Sequence, residues 1–276
     1  MNERASHFEV VLTRGGAPAM LDHASGEVMH PIVGPLIEAA ALYVGPSDLE
    51  RRLGVFDPEP LVLLDVGLGA GSNAVAAWRV SERLPSAARR LEVVSFDRTL
   101  EPLALALLAP HAEAFGFDAT AGAAGRSLLA KRVHETPRTR WRVIVADLIG
   151  ALGGESERSA DIVFWDPFSP HADPALWSVA AFTALRRLCR AGATVHTYSA
   201  ATATRSALLL AGFAVGFGPP APGRQPQTTV AALHHQQLAA PLDRRWLERL
   251  ARSSAGFPAD APADALARIE GLAQFL

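Results

Sequence analysis

The segment LLDVGLGAGSN, residues 63–73, combines residue types and spacing that predict chemistry. Three glycines, Gly67, Gly69 and Gly71, alternate with other residues directly after an apolar run. Glycine lets the backbone pass close to a ligand because it has no side chain in the way. Free N–H groups at the start of a following helix favour a ligand that carries hydrogen-bond acceptors. The segment therefore predicts a cofactor-binding turn between a strand and a helix.

Two cofactors suit such a turn, a nicotinamide dinucleotide and S-adenosylmethionine, and the glycine spacing distinguishes them. The dinucleotide fingerprint is G-x-G-x-x-G, whereas this turn reads D-x-G-x-G-x-G and begins at Asp65. A carboxylate at Asp65 can accept a hydrogen bond from the ammonium of a methionine moiety, but it would repel a pyrophosphate. The pattern favours S-adenosylmethionine, and Asn73, at the start of the next helix, is included among the predicted cofactor contacts.

Aspartates also follow the next two apolar runs of the chain, Asp97 after residues 91–96 and Asp147 after residues 141–146. Ligands of open α/β sheets bind at the carboxyl ends of the strands. Asp97 suits the ribose hydroxyls of a cofactor, and Asp147 could accept a hydrogen bond from an adenine amino group. The alternative is that these acids end their strands by chance. Acids at consecutive strand ends, together with Asp65, favour one shared ligand site.

The segment DPFSP, residues 166–170, places another carboxylate after a fourth apolar run. Methyl transfer from a sulfonium needs a nucleophile held in line with the methyl carbon. If the acceptor is an amine, the Asp166 carboxylate and the Pro167 carbonyl can orient its N–H bonds, and Phe168 could stack on a planar substrate. The alternative is a tight turn in which Asp166 caps a backbone N–H. The first interpretation predicts Asp166 as catalytic and Pro167 and Phe168 as substrate contacts.

Other polar residues have common structural explanations. His30 and Glu38 could close over the cofactor, although turn histidines and exposed helix glutamates are frequent. His234 and His235 lack the further ligands that a metal site needs, so we predict no metal site. The basic residues within 131–142 could contact phosphates, but such runs usually form a solvated face.

The order of the predicted elements indicates an α/β fold. We expect a mostly parallel, seven-stranded sheet with helices on both faces and an antiparallel hairpin at one edge. The predicted strands are 61–66, 91–96, 141–146, 161–165, 192–198, 213–217 and 228–234, and the predicted helices are 34–43, 72–84, 101–115, 174–190 and 202–211.

The composition excludes several classes of protein. The chain has 276 residues, of which 49% are hydrophobic and 20% charged, so it can bury a sizeable core. The formal net charge of -2 does not indicate a strongly basic nucleic-acid binder. The single cysteine, Cys189, excludes an intrachain disulfide and a cysteine-built zinc site. No signal-peptide pattern or membrane-spanning run is present, so we expect a cytoplasmic protein without a membrane partner.

Several segments together resemble the methyltransferase domain of the MnmC family. The resemblance extends over about residues 20–235. The segments that carry it are GLGAGSN (67–73), FD (96–97), ADLIGAL (146–152), WDPFSPHADPALW (165–177) and AGATVHTYSAATATRSALLLAGF (191–213).

This resemblance implies a class I, Rossmann-like methyltransferase that uses S-adenosylmethionine to methylate an aminomethyl group on the wobble uridine of certain tRNAs. It places the glycine turn, Asp97 and Asp147 at the cofactor and Asp166 at the acceptor amine. It also implies three parts: an N-terminal lead (1–60) packing on the cofactor site, the methyltransferase domain (61–237) and a helical tail (238–276). The flavin-dependent oxidase domain of bifunctional members is not expected here.

The charge pattern leaves the methyl acceptor open. The family tends to carry a basic stretch near the last hairpin, whereas APGRQPQTT, residues 221–229, has Arg224 as its only charged residue. A small-molecule or protein substrate is therefore the alternative to tRNA, and a non-catalytic binding domain is a further one. A continuous arginine surface leading from Asp166, through Arg138, Arg140 and Arg224, would distinguish tRNA from the alternatives.

Overall fold

The computed structural model describes residues 6–13, 15–29, 33–108, 110–220 and 227–276. Strands within these residues form two sheets. The small N-terminal sheet is antiparallel and contains β1 (Phe8–Leu12), β2 (Pro18–Asp22) and β3 (Val28–Met29). The large sheet contains β4 (Leu61–Val66), β5 (Leu91–Asp97), β6 (Val133–Glu135), β7 (Thr139–Val145), β8 (Ala160–Trp165), β9 (Cys189–Thr197), β10 (Ala214–Pro220) and β11 (Gln227–Ala232).

Helices alternate with the strands of the large sheet. A π-helical segment, Ala40–Val44, continues the first helix, and short 3-10 turns lie at Pro174–Trp177 and His235–Gln237. The α-helices are α1 (Pro35–Ala39), α2 (Leu49–Gly54), α3 (Ser72–Arg83), α4 (Glu101–Ala106), α5 (Ala119–Lys131), α6 (Leu148–Gly154), α7 (Val179–Leu188), α8 (Thr202–Leu210), α9 (Arg244–Ala251) and α10 (Ala265–Glu270).

The large sheet has the strand order β10-β11-β9-β8-β4-β5-β7-β6. Its five central strands pair in parallel, whereas β11 is antiparallel to both β9 and β10. This arrangement confirms the predicted α/β fold with an antiparallel edge hairpin. The sheet has one strand more than predicted, because Arg132 adopts a positive φ of 63° after α5 and turns the chain back. The short strand β6 then pairs antiparallel with β7.

Two helices differ from the prediction for local reasons. The predicted helix 101–115 ends at Ala106, because Pro110 has no N–H to donate to the Ala106 carbonyl. The helix α5 was not predicted, since Gly122 and Gly125 lower its helix propensity. Tight packing explains Gly125, because a Cβ on this residue would lie 2.8 Å from Leu107 Cδ2.

The core lies in two layers, one on each face of the large sheet. Helices α1 to α5 contribute to one layer, and α6 to α10 contribute to the other. In the second layer Trp246 of α9 stacks on Phe275, with ring centroids 6.2 Å apart. The division of the chain at residues 60/61 and 237/238 stays a prediction. None of the described helices is long and apolar enough to cross a membrane.

Candidate active site

A cavity of about 1100 Å³ lies at the carboxyl ends of β4, β5 and β8. Its floor includes the glycine turn and the DPFS segment, and its other side includes residues of the small N-terminal sheet. The parallel pairing of these strands brings their ends together, as the sequence predicts. Apolar and polar groups both line the cavity, which is typical of a small-molecule site.

The first and last glycines of the turn are explained by packing within the protein. Gly67 and Gly71 both have a φ of 87°. A Cβ on Gly67 would lie 2.6 Å from the Asp166 carbonyl oxygen, so only glycine lets the turn approach the end of β8. A Cβ on Gly71 would lie 3.1 Å from Phe117 Cζ in the core. Gly71 is not among the residues that line the cavity, and its predicted cofactor contact stays a prediction.

The middle glycine lies at the cavity and links the turn to β5. Gly69 has a φ of 51°, and its N–H donates to Asp97 Oδ2 at 2.8 Å. The other oxygen of Asp97 accepts from the Thr99 N–H at 3.2 Å. Burial raises the pKa of Asp97. A Cβ on Gly69 would lie 3.0 Å from Met29 Sδ, so the end of the N-terminal sheet covers this part of the turn.

Asp65 is buried at the end of β4, with 1% of its surface exposed. The Ser95 hydroxyl donates to Oδ2 at 2.7 Å, and Trp141 Nε1 donates to the Ser95 oxygen at 2.9 Å. The second oxygen, Oδ1, has no hydrogen-bond partner among the described residues. Burial raises the pKa of Asp65 to about 7. This carboxyl group is therefore an unusually basic aspartate next to the glycine turn.

The predicted catalytic carboxylate, Asp166, is held from both sides. Tyr43 Oη donates to Oδ1 at 2.5 Å, and Asn73 Nδ2 donates to Oδ2 at 2.6 Å. Asn73, predicted as a cofactor contact, thus binds Asp166. The sequence did not indicate Tyr43, because it lies in an apolar helical pattern that reads as core. A π-helical segment carries it, and π-helical turns are frequent at functional sites.

Tyr43 is completely buried and also packs on Phe164, with ring centroids 5.3 Å apart. Burial raises the pKa of Tyr43 well above its ordinary value, and the neighbouring Asp166 carboxylate raises it further. The hydroxyl therefore keeps its proton and remains a hydrogen-bond donor. Asp166 thus has a fixed donor on one oxygen throughout the physiological pH range.

The residues after Asp166 are also fixed by aromatic donors. Tyr198 Oη donates to the Pro167 carbonyl at 3.1 Å, and Trp177 Nε1 donates to the Phe168 carbonyl at 2.7 Å. Both Pro167 and Phe168 line the cavity, as expected for the predicted substrate contacts. Their roles stay predictions.

The small N-terminal sheet is tied to the cavity wall by hydrogen bonds. The Glu27 carboxylate accepts from the Ser169 N–H at 3.0 Å and also from the Ser169 hydroxyl. Glu101 of α4 accepts from the His7 N–H at 3.0 Å. These contacts place the N-terminal segment opposite the glycine turn.

Asp147 has a different environment from the other predicted acids. It is exposed, it is the N-cap of α6, and its side chain accepts from the Gly150 N–H at 3.2 Å. Its neighbours Ala146 and Leu148 line the cavity, whereas Asp147 is not among the lining residues. Helix capping accounts for the aspartate, and the adenine contact stays a prediction.

The cavity is strongly acidic. Arg98 is the one lysine or arginine among its described lining residues, and it pairs with Asp173 at 2.5 Å. Such a surface attracts cations and repels phosphates. The acidic lining residues are Asp22, Glu27, Glu38, Asp97, Glu101, Asp166 and Asp173.

The predicted arginine route does not run through Arg138. This side chain is buried and donates to the backbone carbonyls of Ser81, Ala88 and Arg89. These hydrogen bonds link α3 and the loop after it to the start of β7. Arg138 therefore stabilises the fold and does not belong to a solvated face or to the arginine surface that would distinguish a tRNA acceptor from the alternatives. Arg224 and the candidate His30 lie outside the described residues.

Comparison with known proteins agrees with this geometry. Residues 121–234 match a family model described as S-adenosyl-L-methionine-dependent methyltransferase. The bifunctional tRNA 5-methylaminomethyl-2-thiouridine biosynthesis protein MnmC of Stutzerimonas stutzeri is 28% identical over 259 residues, which cover 90% of this chain and 38% of that protein. Its counterpart in Methylibium petroleiphilum is 31% identical over 225 residues, covering 80% of this chain and 34% of that protein.

A solved structure is similar over nearly the whole chain. The crystal structure of MNMC2 from Aquifex aeolicus superposes with a TM-score of 0.71 and 25% identity, covering 98% of this chain and 88% of that one. The fold, the site and these matches define an S-adenosyl-L-methionine-dependent methyltransferase. Within that class the chain is similar to the methyltransferase part of MnmC proteins, the resemblance that the sequence motifs indicate. The chain spans 38% and 34% of the length of the two curated relatives.

Proposed function

We propose that the chain transfers a methyl group from S-adenosylmethionine to a primary amine, the 5-aminomethyl group of a wobble uridine in tRNA. The observation that carries this proposal is the fixed carboxylate of Asp166 in a cavity lined with acids. An amine acceptor is a cation in water, and this surface attracts cations. The names of the MnmC relatives, which refer to 5-methylaminomethyl-2-thiouridine in tRNA, support the choice of acceptor.

The cavity also fits the cofactor. When bound, S-adenosylmethionine supplies an electrophilic methyl group on a positively charged sulfonium, and it carries an ammonium as well. Gly69 brings backbone to the cavity surface and Asp97 offers acceptors for hydroxyl groups, whereas Asp65, the predicted partner of the ammonium, is not among the described lining residues. The volume of about 1100 Å³ exceeds that of most single-ligand pockets, so cofactor and acceptor fit together.

Asp166 would orient the acceptor amine. The amine must present a lone pair, so it reacts as the neutral species, and a carboxylate can accept its N–H bonds and direct that lone pair. The neutral amine would supply the electron pair of the new N–C bond, the cofactor would supply the methyl group, and the extra proton of the product ammonium would pass to solvent. The hydrogen bonds from Tyr43 and Asn73 keep the carboxylate in one orientation.

The other predicted contacts support binding of the acceptor. Phe168 offers an apolar face on which a uracil ring can stack, and its carbonyl is tied to Trp177. The N-terminal lead would cover the reactants, supported by the contact between Glu27 and Ser169 and by Met29 above Gly69. Exclusion of water at this point would strengthen the electrostatic effect of Asp166.

The test is methyl transfer from radiolabelled S-adenosylmethionine to bulk tRNA from cells that lack the wobble-uridine methyltransferase. We expect label in a methylaminomethyl uridine. The variant Asp166→Ala should bind the cofactor with nearly unchanged affinity in calorimetry but lose about 100-fold or more in transfer rate. Asp264→Ala, a surface change in the tail, is the matched control and should leave both measurements unchanged.

The outcomes separate the alternatives. Full activity of Asp166→Ala would show that Asp166 only shapes the turn. Cofactor binding without any label in tRNA would exclude the tRNA acceptor and direct the search to small-molecule and protein amines. A protein that binds no S-adenosylmethionine would overturn the whole proposal.

A further inference from the structure

A second cavity, of about 350 Å³, adjoins the first and has the opposite charge. Ala200 and Ala201 line the acidic cavity, and the next residue, Thr202, lines the second one. Two arginines and no carboxylate are among its described lining residues. The lining residues are Thr202, Arg205, Phe217, Gln227, Trp246 and Arg249.

Arg205 is held rigidly at the bottom of this cavity, with 6% of its surface exposed. Its Nε donates to Thr229 Oγ1 at 2.9 Å, and Nη2 donates to the carbonyls of Gln227 and Thr228 at 2.8 and 3.1 Å. The guanidinium also lies 4.9 Å from the ring centroid of Phe217. Within the described part of the chain, Nη1 has no acceptor and no carboxylate pairs with this arginine.

The positive charge of this pair of arginines is therefore unbalanced. Burial and, to a smaller extent, the nearby Arg249 lower the pKa of Arg205 to about 10. Arg205 still carries its charge at neutral pH, at an energetic cost that a bound anion would remove. Thr202 and Gln227 add polar groups to the same cavity, and no side chain caps the start of α8 at Ala201.

The helix α9 extends this charge along the surface. Arg245, Arg249 and Arg252 are spaced i, i+4 and i+7, so they share one face of the helix. All three are exposed, and none forms an ion pair with another described residue. The helix is fixed underneath by buried Trp246 and Leu250, so the arginines project from a rigid element.

We infer that the second cavity binds a backbone phosphate of the RNA acceptor, with Arg205 and Arg249 as its ligands and Arg245 and Arg252 contacting neighbouring phosphates. This inference rests on the proposed function and adds the means by which an acidic site accepts a polyanion. The acidic cavity takes the amine-bearing base, and the adjoining basic cavity takes the backbone. It also gives the C-terminal tail a role, because α9 and its C-cap residue supply three of the four arginines.

The experiment measures binding of bulk tRNA by fluorescence anisotropy at several salt concentrations. The variants are Arg249→Glu in the cavity and Arg245→Glu outside it. The control is Arg83→Glu, an exposed arginine at the end of α3 that makes the same charge change and forms no ion pair with a described residue. We expect each of the two variants to bind tRNA about tenfold more weakly and to reduce the slope of log K against log salt by about 1. Cofactor affinity should remain unchanged.

Conservative replacement distinguishes charge from packing: Arg249→Lys should keep most of the tRNA affinity that Arg249→Glu loses. The inference is overturned if Arg249→Glu, Arg245→Glu and the control all have the same tRNA affinity and salt slope. In that case the proposed function still holds as long as the wild-type chain methylates tRNA. If inorganic phosphate raises the melting temperature of the wild type but not that of Arg249→Glu, and tRNA does not bind, the site takes free phosphate and the RNA inference fails. The inference is supported if the two arginine-to-glutamate variants lose both tRNA binding and tRNA methylation while their cofactor affinity stays unchanged.

Discussion

The buried carboxyl group of Asp65 leads to a quantitative prediction about stability and pH. Burial raises its pKa from 3.8 to about 7, and the hydrogen bond from Ser95 opposes that rise without cancelling it. This rise in pKa corresponds to about 4 kcal/mol of free energy. Replacement by asparagine keeps the shape of the side chain and removes the titration.

The sign follows from where the proton is bound. Between pH 4 and pH 7 the folded state holds a proton on Asp65 that the unfolded state has released. Folding then takes up a proton, so the contribution of this group to the free energy of unfolding is complete below about pH 4 and is lost as the pH rises through about 7. The steepest slope is about 1.4 kcal/mol per pH unit.

The variant Asp65→Asn should therefore become more stable relative to the wild type as the pH rises. Its amide nitrogen takes the position of one oxygen, and since Oδ1 has no partner among the described residues, a pH-independent cost of about 1–3 kcal/mol is expected. On top of that constant, the difference in unfolding free energy should change by up to about 4 kcal/mol in favour of the variant between pH 4 and pH 8.

Urea denaturation of the cofactor-free protein at several pH values between 4 and 8 measures this difference. The control is Asp264→Asn, because the exposed Asp264 carboxylate accepts from Arg268, which lowers its pKa. Its contribution to stability is lost only as the pH falls below about 4, so the difference for this variant should stay nearly constant over the range. If the difference in unfolding free energy between the wild type and Asp65→Asn stays constant from pH 4 to pH 8, the reasoning is refuted. Such a result would show that Asp65 is charged in the folded state.

Two further substitutions test the geometry of the site. Tyr43→Phe removes the donor to Asp166 and keeps the ring against Phe164, so we expect a 10- to 100-fold loss in methyl transfer, about 1.5–3 kcal/mol, without a change in cofactor affinity. Unchanged transfer in the radiolabel assay would show that Tyr43 does not position Asp166. Gly67→Ala places a Cβ 2.6 Å from the Asp166 carbonyl at a φ of 87°, so it should lower the melting temperature by several degrees, whereas the helical Gly153→Ala, with open space around it, should not lower it. Equal melting temperatures in calorimetry would contradict the close approach at Gly67.

The local parts of this site are predictable from sequence because they depend on neighbouring residues. An apolar run followed by D-x-G-x-G-x-G predicts a buried strand and a turn with left-handed glycines, and β4 and the positive φ values of that turn agree. Alternating strands and helices predict a mostly parallel sheet, because parallel neighbours are joined by helical crossovers. Strand ends of one parallel sheet then meet at one edge, so Asp97 and Asp166 were expected beside the glycine turn.

Local patterns fail where a residue has two roles that look alike in sequence. Tyr43 has the spacing of a core residue, and Asn73 has the position of a cofactor contact. Both bind Asp166, across 123 and 93 residues of chain. The glycines of α5 lower helix propensity, yet the close approach of Leu107 requires one of them.

By itself, the sequence determined the parallel strands, the glycine turn and the carboxylates that follow the strands, because each depends on residue patterns within a short segment. Only the tertiary structure decided which two side chains hold Asp166. It also decided the close packing that requires glycine at positions 67 and 71 and the proximity of Arg205 and Arg249 beside the acidic cavity. These pairings join residues far apart in the chain. They depend on how whole helices and strands pack, which no local pattern records.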